Sequence, residues 1–109
     1  MSKYGAWDIG GEVIKMDERY IVKDNKELKT LTLSSTRLYP DKNTSGHSHE
    51  GQEEVYFFVE GSGTMTVGSE DFEVHVGDTV TVPDGAYHQV MAHKLGCSFI
   101  TVFPGQRRR

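Results

Sequence analysis

The fold is decided by residues 54–82, which read EVYFFVEGSGTMTVGSEDFEVHVGDTVTV. Apolar and polar residues alternate along most of this stretch, and a period of two predicts β-strands with one buried face. Many of the apolar residues are β-branched or aromatic, which suits the pleated surface of a sheet. Clusters that contain glycine interrupt the alternation and predict turns at residues 60–63, 68–71 and 77–78, and just beyond it at 83–85.

The N-terminal third of the chain has the same period. Leu31 and Leu33 alternate with threonines, and residues 24–26 predict a hairpin loop between strands at 20–22 and 28–33. No stretch shows the capped, 3.6-residue pattern of an amphipathic helix. The sequence therefore predicts one all-β domain over residues 1–109, a sandwich or barrel, with N-terminal strands over about 1–40, a barrel over about 41–104 and a basic tail at 105–109.

The composition limits the partners that we expect. The 109 residues are 36% hydrophobic and 26% charged, and the net charge of -4 gives no electrostatic reason to bind nucleic acid or an anionic membrane. No run of apolar residues is long enough for a membrane-spanning helix, and the first residues lack the pattern of a secretion signal. Cys97 is the only cysteine, so no intrachain disulfide can form. We expect a cytoplasmic protein without nucleic-acid or membrane partners, and a solvated run of arginines at 107–109.

Residues 55–59, Val-Tyr-Phe-Phe-Val, are apolar on both faces of the predicted strand. Such a strand needs cover on both sides, because an exposed apolar row invites aggregation. Either the N-terminal strands or a second subunit can supply the cover. Both alternatives, including a homodimer, remain open at this point.

Four side chains form a candidate metal site. His47 and His49 are two residues apart and therefore point to the same face of a strand. Glu54 follows a short turn, and His88 follows the predicted turn at 83–85. Three imidazoles and a carboxylate suit one divalent transition metal (Fe, Mn, Ni, Co or Zn) with coordination positions left for a substrate.

Two segments resemble the motifs of the cupin superfamily. Residues 46–54 followed by six residues and Gly61 resemble the first motif, a His-x-His pair, a few residues, Glu, six residues and Gly. Residues 77–88 resemble the second, in which Gly, five residues and Pro-x-Gly precede a His. The resemblance implies a double-stranded β-helix, or jelly-roll barrel, of six strands. It also implies that the metal lies in the mouth of the barrel with His47, His49, Glu54 and His88 as its ligands.

Glu53 competes with Glu54 for the role of ligand. The count of six residues to Gly61 selects Glu54, and strand parity puts Glu54, Tyr56 and Phe58 on one face. Glu53 is then an exposed carboxylate of the turn. His75 and His93 have no partner motif and are expected to be surface histidines.

The resemblance also suggests a reaction. Parts of the sequence are similar to archaeal cupin-type phosphoglucose isomerases, which implies that Thr44 and Gly46 contact phosphate and that Glu54 assists proton transfer. Tyr56 is expected to face the metal, as a Tyr does in cupin lyases, where a phenol can act as general acid or base. Together with Phe58 and Tyr87 it is expected to line the substrate site.

Three function classes remain open. The first is a metal-dependent isomerase or lyase that transfers a proton on a small polar substrate. The second is an Fe(II) dioxygenase, whose ligands would look the same in the sequence. The third is a module that binds a metal or small ligand without turnover. We expect an enzyme of the first class.

Overall fold

The computed structural model describes residues 1–5, 7–105 and 107. The chain forms seven strands, and the described residues contain no helix. The all-β prediction is therefore confirmed. The strands are β1 (Glu12–Met16), β2 (Tyr20–Asn25), β3 (Leu31–Leu38), β4 (Glu54–Val67), β5 (Glu70–His75), β6 (Thr79–Val82) and β7 (His88–Pro104).

All strand pairs are antiparallel, in the order β1-β2-β3-β7-β4-β5, and β6 pairs with β4. The two longest strands, β4 and β7, pair along most of their length. The first half of β4 lies between β6 and the end of β7, and its second half lies between β5 and the start of β7. Because β4 and β7 are shared in this way, they connect the two ends of the barrel and position whatever lies at its mouth.

The prediction of a turn at 60–63 is wrong, because β4 continues through these residues. The register with β7 shifts between Phe58 and Glu60 and again between Gly61 and Gly63. Gly61 has a φ of 71°, and a Cβ at this position would lie 2.0 Å from the carbonyl oxygen of Gly96. The glycines therefore allow a β-bulge that bends one long strand, where the sequence pattern suggests two strands and a turn. The connections after β4, β5 and β6 lie at the other three predicted turns.

The prediction of a hairpin loop at 24–26 is displaced. Strand β2 runs on through Asp24 and Asn25, and β3 begins at Leu31, so the connection comprises residues 26–30. Both polar residues are buried, at 4% and 6% exposure, and both have partners. Asn25 Nδ2 donates to the carbonyl oxygen of Ile9 at 2.6 Å. Polar residues that are satisfied inside a barrel look like loop residues in the sequence.

Arg107 corrects the prediction of a solvated tail. Its guanidinium donates two hydrogen bonds to the carboxylate of Asp24, from Nε at 2.9 Å and from Nη2 at 2.8 Å. Nη2 also donates to Ser34 Oγ at 2.7 Å. The side chain is 27% exposed, whereas the carboxylate that it meets is 1% exposed. The prediction for Arg108 and Arg109 lies outside the described residues.

The core lies between the inward faces of β2 to β7. Tyr56, Phe58 and Phe99 form one aromatic cluster within it, with ring centroids 5.2–6.2 Å apart. Phe57 points outward from β4 and is 41% exposed. The N-terminal strands extend the sheet beside β7, and they leave Phe57 exposed. No helix among the described residues has the length and apolar character needed to cross a bilayer.

Candidate metal centre

The segment that carries the His-x-His pair is held against the start of β7. His47 N donates to the carbonyl oxygen of His88 at 3.2 Å, and His88 N donates to the carbonyl oxygen of His47 at 2.9 Å. Two residues further, the carbonyl oxygen of His49 accepts a hydrogen bond from Gly85 N at 3.1 Å. Glu54 then opens β4 with its side chain inward. Backbone pairing therefore brings both motif segments to one place.

The structure brings all four expected ligands together. The ring centroid of His47 lies 4.5 Å from that of His49 and 4.7 Å from that of His88, and the centroids of His49 and His88 are 6.1 Å apart. Glu54 Oε2 lies 2.9 Å from His88 Nε2. His49, Glu54 and His88 are buried, while His47 lies at the solvent side of the group.

His88 has different neighbours at its two ring nitrogens. Its Nδ1 lies 3.0 Å from the carbonyl oxygen of Ala86, an acceptor only, so Nδ1 carries the proton and donates it. The neutral ring therefore presents a lone pair at Nε2. Nε2 is buried and has no aligned hydrogen-bond partner, although Glu54 Oε2 is 2.9 Å away. A lone pair and a carboxylate at this distance need a positive charge near both of them, either a proton or a metal ion.

The pKa values of His47 and His88 are shifted in opposite directions. His47 is exposed as a residue, but partial burial of its ring, followed by the neighbouring His88 and His49, lowers its pKa to about 4. Burial also acts to lower the pKa of His88, but the contact with Glu54 and the bond to Ala86 outweigh it, and the pKa of His88 is raised above 6.5. At neutral pH, His47 is therefore a ready neutral ligand, whereas His88 competes for a proton.

The donor set fits a divalent transition metal. Two ligand atoms about 2.1 Å from one ion and at right angles to each other lie about 3 Å apart, which matches the separation of Glu54 Oε2 and His88 Nε2. Among the described residues, no group of three or more His, Cys, Asp and Glu side chains is already arranged as a coordination cage. The rings of His47 and His49 are tilted by 44° to each other.

Tyr56 and Phe58 share the inward face of β4 with Glu54. The Tyr56 ring lies 6.0 Å from that of His88, and Tyr56 lines the cavity beside the four ligands. Burial, and then the charge of Glu54, raise the pKa of Tyr56 well above its usual value. Phe58 is 2% exposed and packs on Tyr56 in the core, away from the cavity wall.

Thr44, Gly46 and Tyr87 lie at the rim. Thr44 lines the cavity, and its Oγ1 accepts a hydrogen bond from Val90 N at 3.0 Å. Gly46 lies directly under the Tyr87 ring, because a Cβ on Gly46 would meet the Tyr87 hydroxyl at 1.7 Å. Neither Gly46 nor Tyr87 lines the cavity. Gly46 therefore lacks a side chain for a steric reason, which is the position of the Tyr87 ring.

The residues expected to lie outside the site do so. Glu53 is exposed. His75 lies at the end of β5, with its side chain 64% exposed. His93 lies on a different part of the sheet, where both of its ring nitrogens make hydrogen bonds. Ser62 Oγ lies 3.2 Å from His93 Nδ1, and Thr64 Oγ1 lies 3.1 Å from His93 Nε2.

A cavity of about 100 Å³ extends from the four ligands into the barrel. Sequence patterns did not point to several of its residues, because no local motif marks them. Ser34, Thr36 and Thr101 supply hydroxyl groups, Gln52 supplies an amide, and Lys15 and Arg107 supply positive charge. Strand parity could have identified Ser34 and Thr36, which alternate with outward residues of β3.

Two relatives are similar to this chain in sequence. An uncharacterised protein of Methanocaldococcus jannaschii is 32% identical over 82 residues, which cover 65% of this chain and 66% of that protein. An uncharacterised protein of Sinorhizobium fredii is 38% identical over 74 residues, covering 64% of this chain and 34% of that protein. The chain thus spans less than two thirds of the length of each.

Solved structures share its fold. KdgF from Halomonas sp. has a TM-score of 0.79 at 17% sequence identity, covering 88% of this chain and 89% of KdgF. A deletion mutant of the oxalate decarboxylase of Bacillus subtilis has a TM-score of 0.78 at 24% identity, covering 87% of this chain and 28% of the decarboxylase. At these identities the likeness is one of fold, the all-β jelly roll.

The family model described as Cupin domain matches residues 35–103. This range contains the His-x-His pair, Glu54, the bent strand β4, the turn at 83–85 and His88. It covers more than half of the chain and the whole of the candidate metal centre. The chain belongs to the cupin domain family.

Proposed function

We propose that this chain binds one divalent transition metal (Fe, Mn, Ni, Co or Zn) through His47, His49, Glu54 and His88. We further propose that it is an enzyme, an isomerase or lyase, that transfers a proton on a small polar substrate. The observation that carries the proposal is the buried contact of 2.9 Å between Nε2 of His88 and Oε2 of Glu54, with His47 and His49 beside it. A lone pair and a carboxylate this close together need a positive charge between them, which a proton or a bound metal ion supplies.

Each side chain has a defined part in the proposed chemistry. A bound divalent metal supplies Lewis-acid polarisation of a substrate oxygen. His47, His49 and His88 hold the ion, and the Ala86 carbonyl keeps the His88 lone pair aimed inward. Glu54 can accept a proton from the substrate. Tyr56 is protonated at neutral pH, and its raised pKa keeps the proton in place, so its hydroxyl can donate a hydrogen bond to the substrate.

The size of the cavity favours small substrates. A cavity of roughly 150 Å³ is enough for benzene, and this one is about 100 Å³. A hexose phosphate would therefore extend through the mouth, whereas a molecule of about half a dozen heavy atoms or fewer would be enclosed. Within the proposed class, lyase or isomerase chemistry on such a molecule is favoured over chemistry on a sugar phosphate.

Metal titration tests the site. We expect wild-type protein to bind one equivalent of Zn²⁺ or Co²⁺, and His88→Ala and Glu54→Gln to weaken binding at least about tenfold, the low end of the effect of losing a well-placed ligand or its support. His75→Ala is the matched control, because His75 is an exposed histidine away from the site, and it should bind metal like wild type. Equal binding by all four proteins would sink the proposal.

Isotope exchange tests the reaction. Under nitrogen in D₂O, the metal-loaded protein should catalyse exchange of carbon-bound protons in a small hydroxy or oxo compound, as seen by NMR. Glu54→Gln should lose this exchange. Oxygen uptake that depends on substrate, with no exchange, would instead favour a dioxygenase. A bound metal with neither activity would favour a binding module.

A further inference from the structure

Arg107 lines the same cavity as the four proposed metal ligands, His47, His49, Glu54 and His88. Burial acts to lower the pKa of Arg107, whereas the hydrogen bonds and charge of Asp24 raise it. The charges of Glu54 and Tyr56 raise it further. Because these side chains line one cavity, a ligand in it can contact both the guanidinium and the proposed metal site.

The orientation of the guanidinium is fixed. Asp24 accepts from Nε and from Nη2, and Ser34 Oγ accepts from Nη2. The ring of Phe103 lies under the group, with its centroid 5.2 Å from Cζ. A guanidinium has five N–H donors in a planar fork. The bonds to Asp24 and Ser34 use the Nε edge and Nη2, and among the described residues Nη1 makes no hydrogen bond.

The charges in the cavity favour an anion. Asp24 balances Arg107, and Glu54 offsets only half of the charge of a divalent ion. Lys15 also lines the cavity. With the metal bound, the cavity is left with a net positive charge, which attracts a ligand with one negative charge and offsets part of the cost of desolvating it.

We propose that Arg107, held by Asp24 and Ser34, is the anion-binding end of the cavity, and that the substrate is a small carboxylate with a hydroxyl or carbonyl oxygen for the metal. The carboxylate accepts from Nη1, and the second oxygen faces the ligands at the mouth. This proposal rests on the proposed function, because it takes the metal to be bound by His47, His49, Glu54 and His88. It adds the substrate class, which neither the family nor the four ligands specify.

A purely structural role for Arg107 predicts different behaviour. An ion pair with a buried carboxylate can serve stability alone. In that case the pair would affect unfolding but not the choice between a charged and a neutral ligand. The two roles are separated by comparing ligands of matched size, in variants that keep the fold.

Calorimetric titration of Zn²⁺-loaded protein with glycolate and with ethylene glycol makes this comparison, since the two differ mainly in the carboxylate. We expect glycolate to bind at least about tenfold more tightly, the low end for a hydrogen bond between charged groups. The double variant Asp24→Asn/Arg107→Gln replaces the ion pair with two neutral amides, so no buried charge is left unpaired. It should bind Zn²⁺ normally, lose the preference for glycolate and bind ethylene glycol as wild type does.

Arg107→Lys provides a second variant in case the double variant does not fold. It keeps the charge beside Asp24 but loses the fork, and we expect it to bind glycolate several-fold more weakly with Zn²⁺ uptake unchanged. Inorganic phosphate is a third ligand, and binding of phosphate without glycolate would overturn the carboxylate assignment.

Two failures can be told apart. If wild type binds Zn²⁺ but shows no preference for glycolate, or if the variants keep the preference, the role of Arg107 is refuted and the metal site stands. If wild type binds no metal, the proposed function fails. The same titrations on the metal-free protein then decide whether Arg107 selects an anion.

Discussion

At His88, each of the two ring nitrogens has its own neighbour, which determines whether that nitrogen carries a proton. The Ala86 carbonyl accepts from Nδ1 at 3.0 Å, and Nε2 is turned toward Glu54. Glu54, which raises the pKa of His88, therefore favours a proton at Nε2, the atom at which a metal would bind. Proton and metal compete for one atom, which links metal affinity to pH.

Metal binding should release a proton near pH 6.5. The folded pKa of His88 is above 6.5, so the ring is largely charged below it, and the metal must displace that proton. His47, with a pKa of about 4, is already neutral and releases none. Apparent affinity should therefore rise with pH through the neutral range. Titration calorimetry in two buffers of different ionisation enthalpy counts the protons released, and a count of zero at pH 6 would be inconsistent with this arrangement.

The sequence predicted the residues of the mouth better than those of the cavity floor. His47, His49, Glu54 and His88 stand at motif spacings, and strand parity selects Glu54 over Glu53. Arg107 and Asp24 are 83 residues apart, and nothing local marks them as partners. Strand parity can indicate that a polar residue such as Ser34 points into a barrel, but its partner is supplied only by the fold.

Strands β4 and β7 are the elements on which the site depends. Each is long enough to pair at both ends of the barrel, and the bulges around Gly61 bend β4 between its two halves. The sequence signal for this bend is the same glycine signal that marks a turn. Only the pairing of Gly61 with Cys97 across β7 distinguishes the two, and that pairing is a property of the fold.

Replacement of Gly61 by Ala should destabilise the protein by more than about 2 kcal/mol. The residue has a positive φ, which costs a non-glycine residue about 1 kcal/mol, and the new Cβ would also meet the Gly96 carbonyl oxygen at 2.0 Å. Gly68→Ala is the matched control, because Gly68 also has a positive φ, 62°, but open space around it. Urea unfolding measures both. Equal losses of stability would mean that the close approach to Gly96 is not important.

At the scale of the whole molecule, the Asp24–Arg107 pair ties the end of the described chain to β2. Asp24→Asn alone should cost about 3 kcal/mol, because it leaves the guanidinium without its carboxylate. The double variant Asp24→Asn/Arg107→Gln should recover much of this loss. Chemical denaturation of the two single variants and the double variant gives the coupling energy, and additive losses would show that the pair is not coupled.

The same pair should contribute to acid sensitivity. Burial raises the pKa of Asp24, but the hydrogen bonds and charge of Arg107 outweigh it, and the pKa is lowered from 3.8. A carboxyl with a lowered folded pKa stabilises the fold above its unfolded pKa, and this contribution is lost as the pH falls below about 4. Stability measured from pH 6 to pH 2 should therefore fall less steeply in the double variant than in wild type. Parallel curves would contradict this.

The outer face of β4 bears on assembly. Phe57 is 41% exposed and Val55 is half-buried beside it, so the cover expected from the N-terminal strands is incomplete. We propose that a second copy of the chain supplies the rest. Sedimentation should then show a dimer in wild type and a monomer in Phe57→Asp, whereas Leu28→Asp, at a residue 61% exposed in the connection between β2 and β3, should not change the mass. A monomeric wild-type protein would refute the proposed homodimer.

The most direct test of the central claim is X-ray absorption at the metal edge of Zn²⁺-loaded or Co²⁺-loaded protein, which counts imidazoles bound to the ion. The arrangement of His47, His49, Glu54 and His88 predicts three imidazole ligands and an oxygen donor in wild type, and one imidazole fewer in His88→Ala. A spectrum with one imidazole or none, or one that His88→Ala leaves unchanged, would contradict the account.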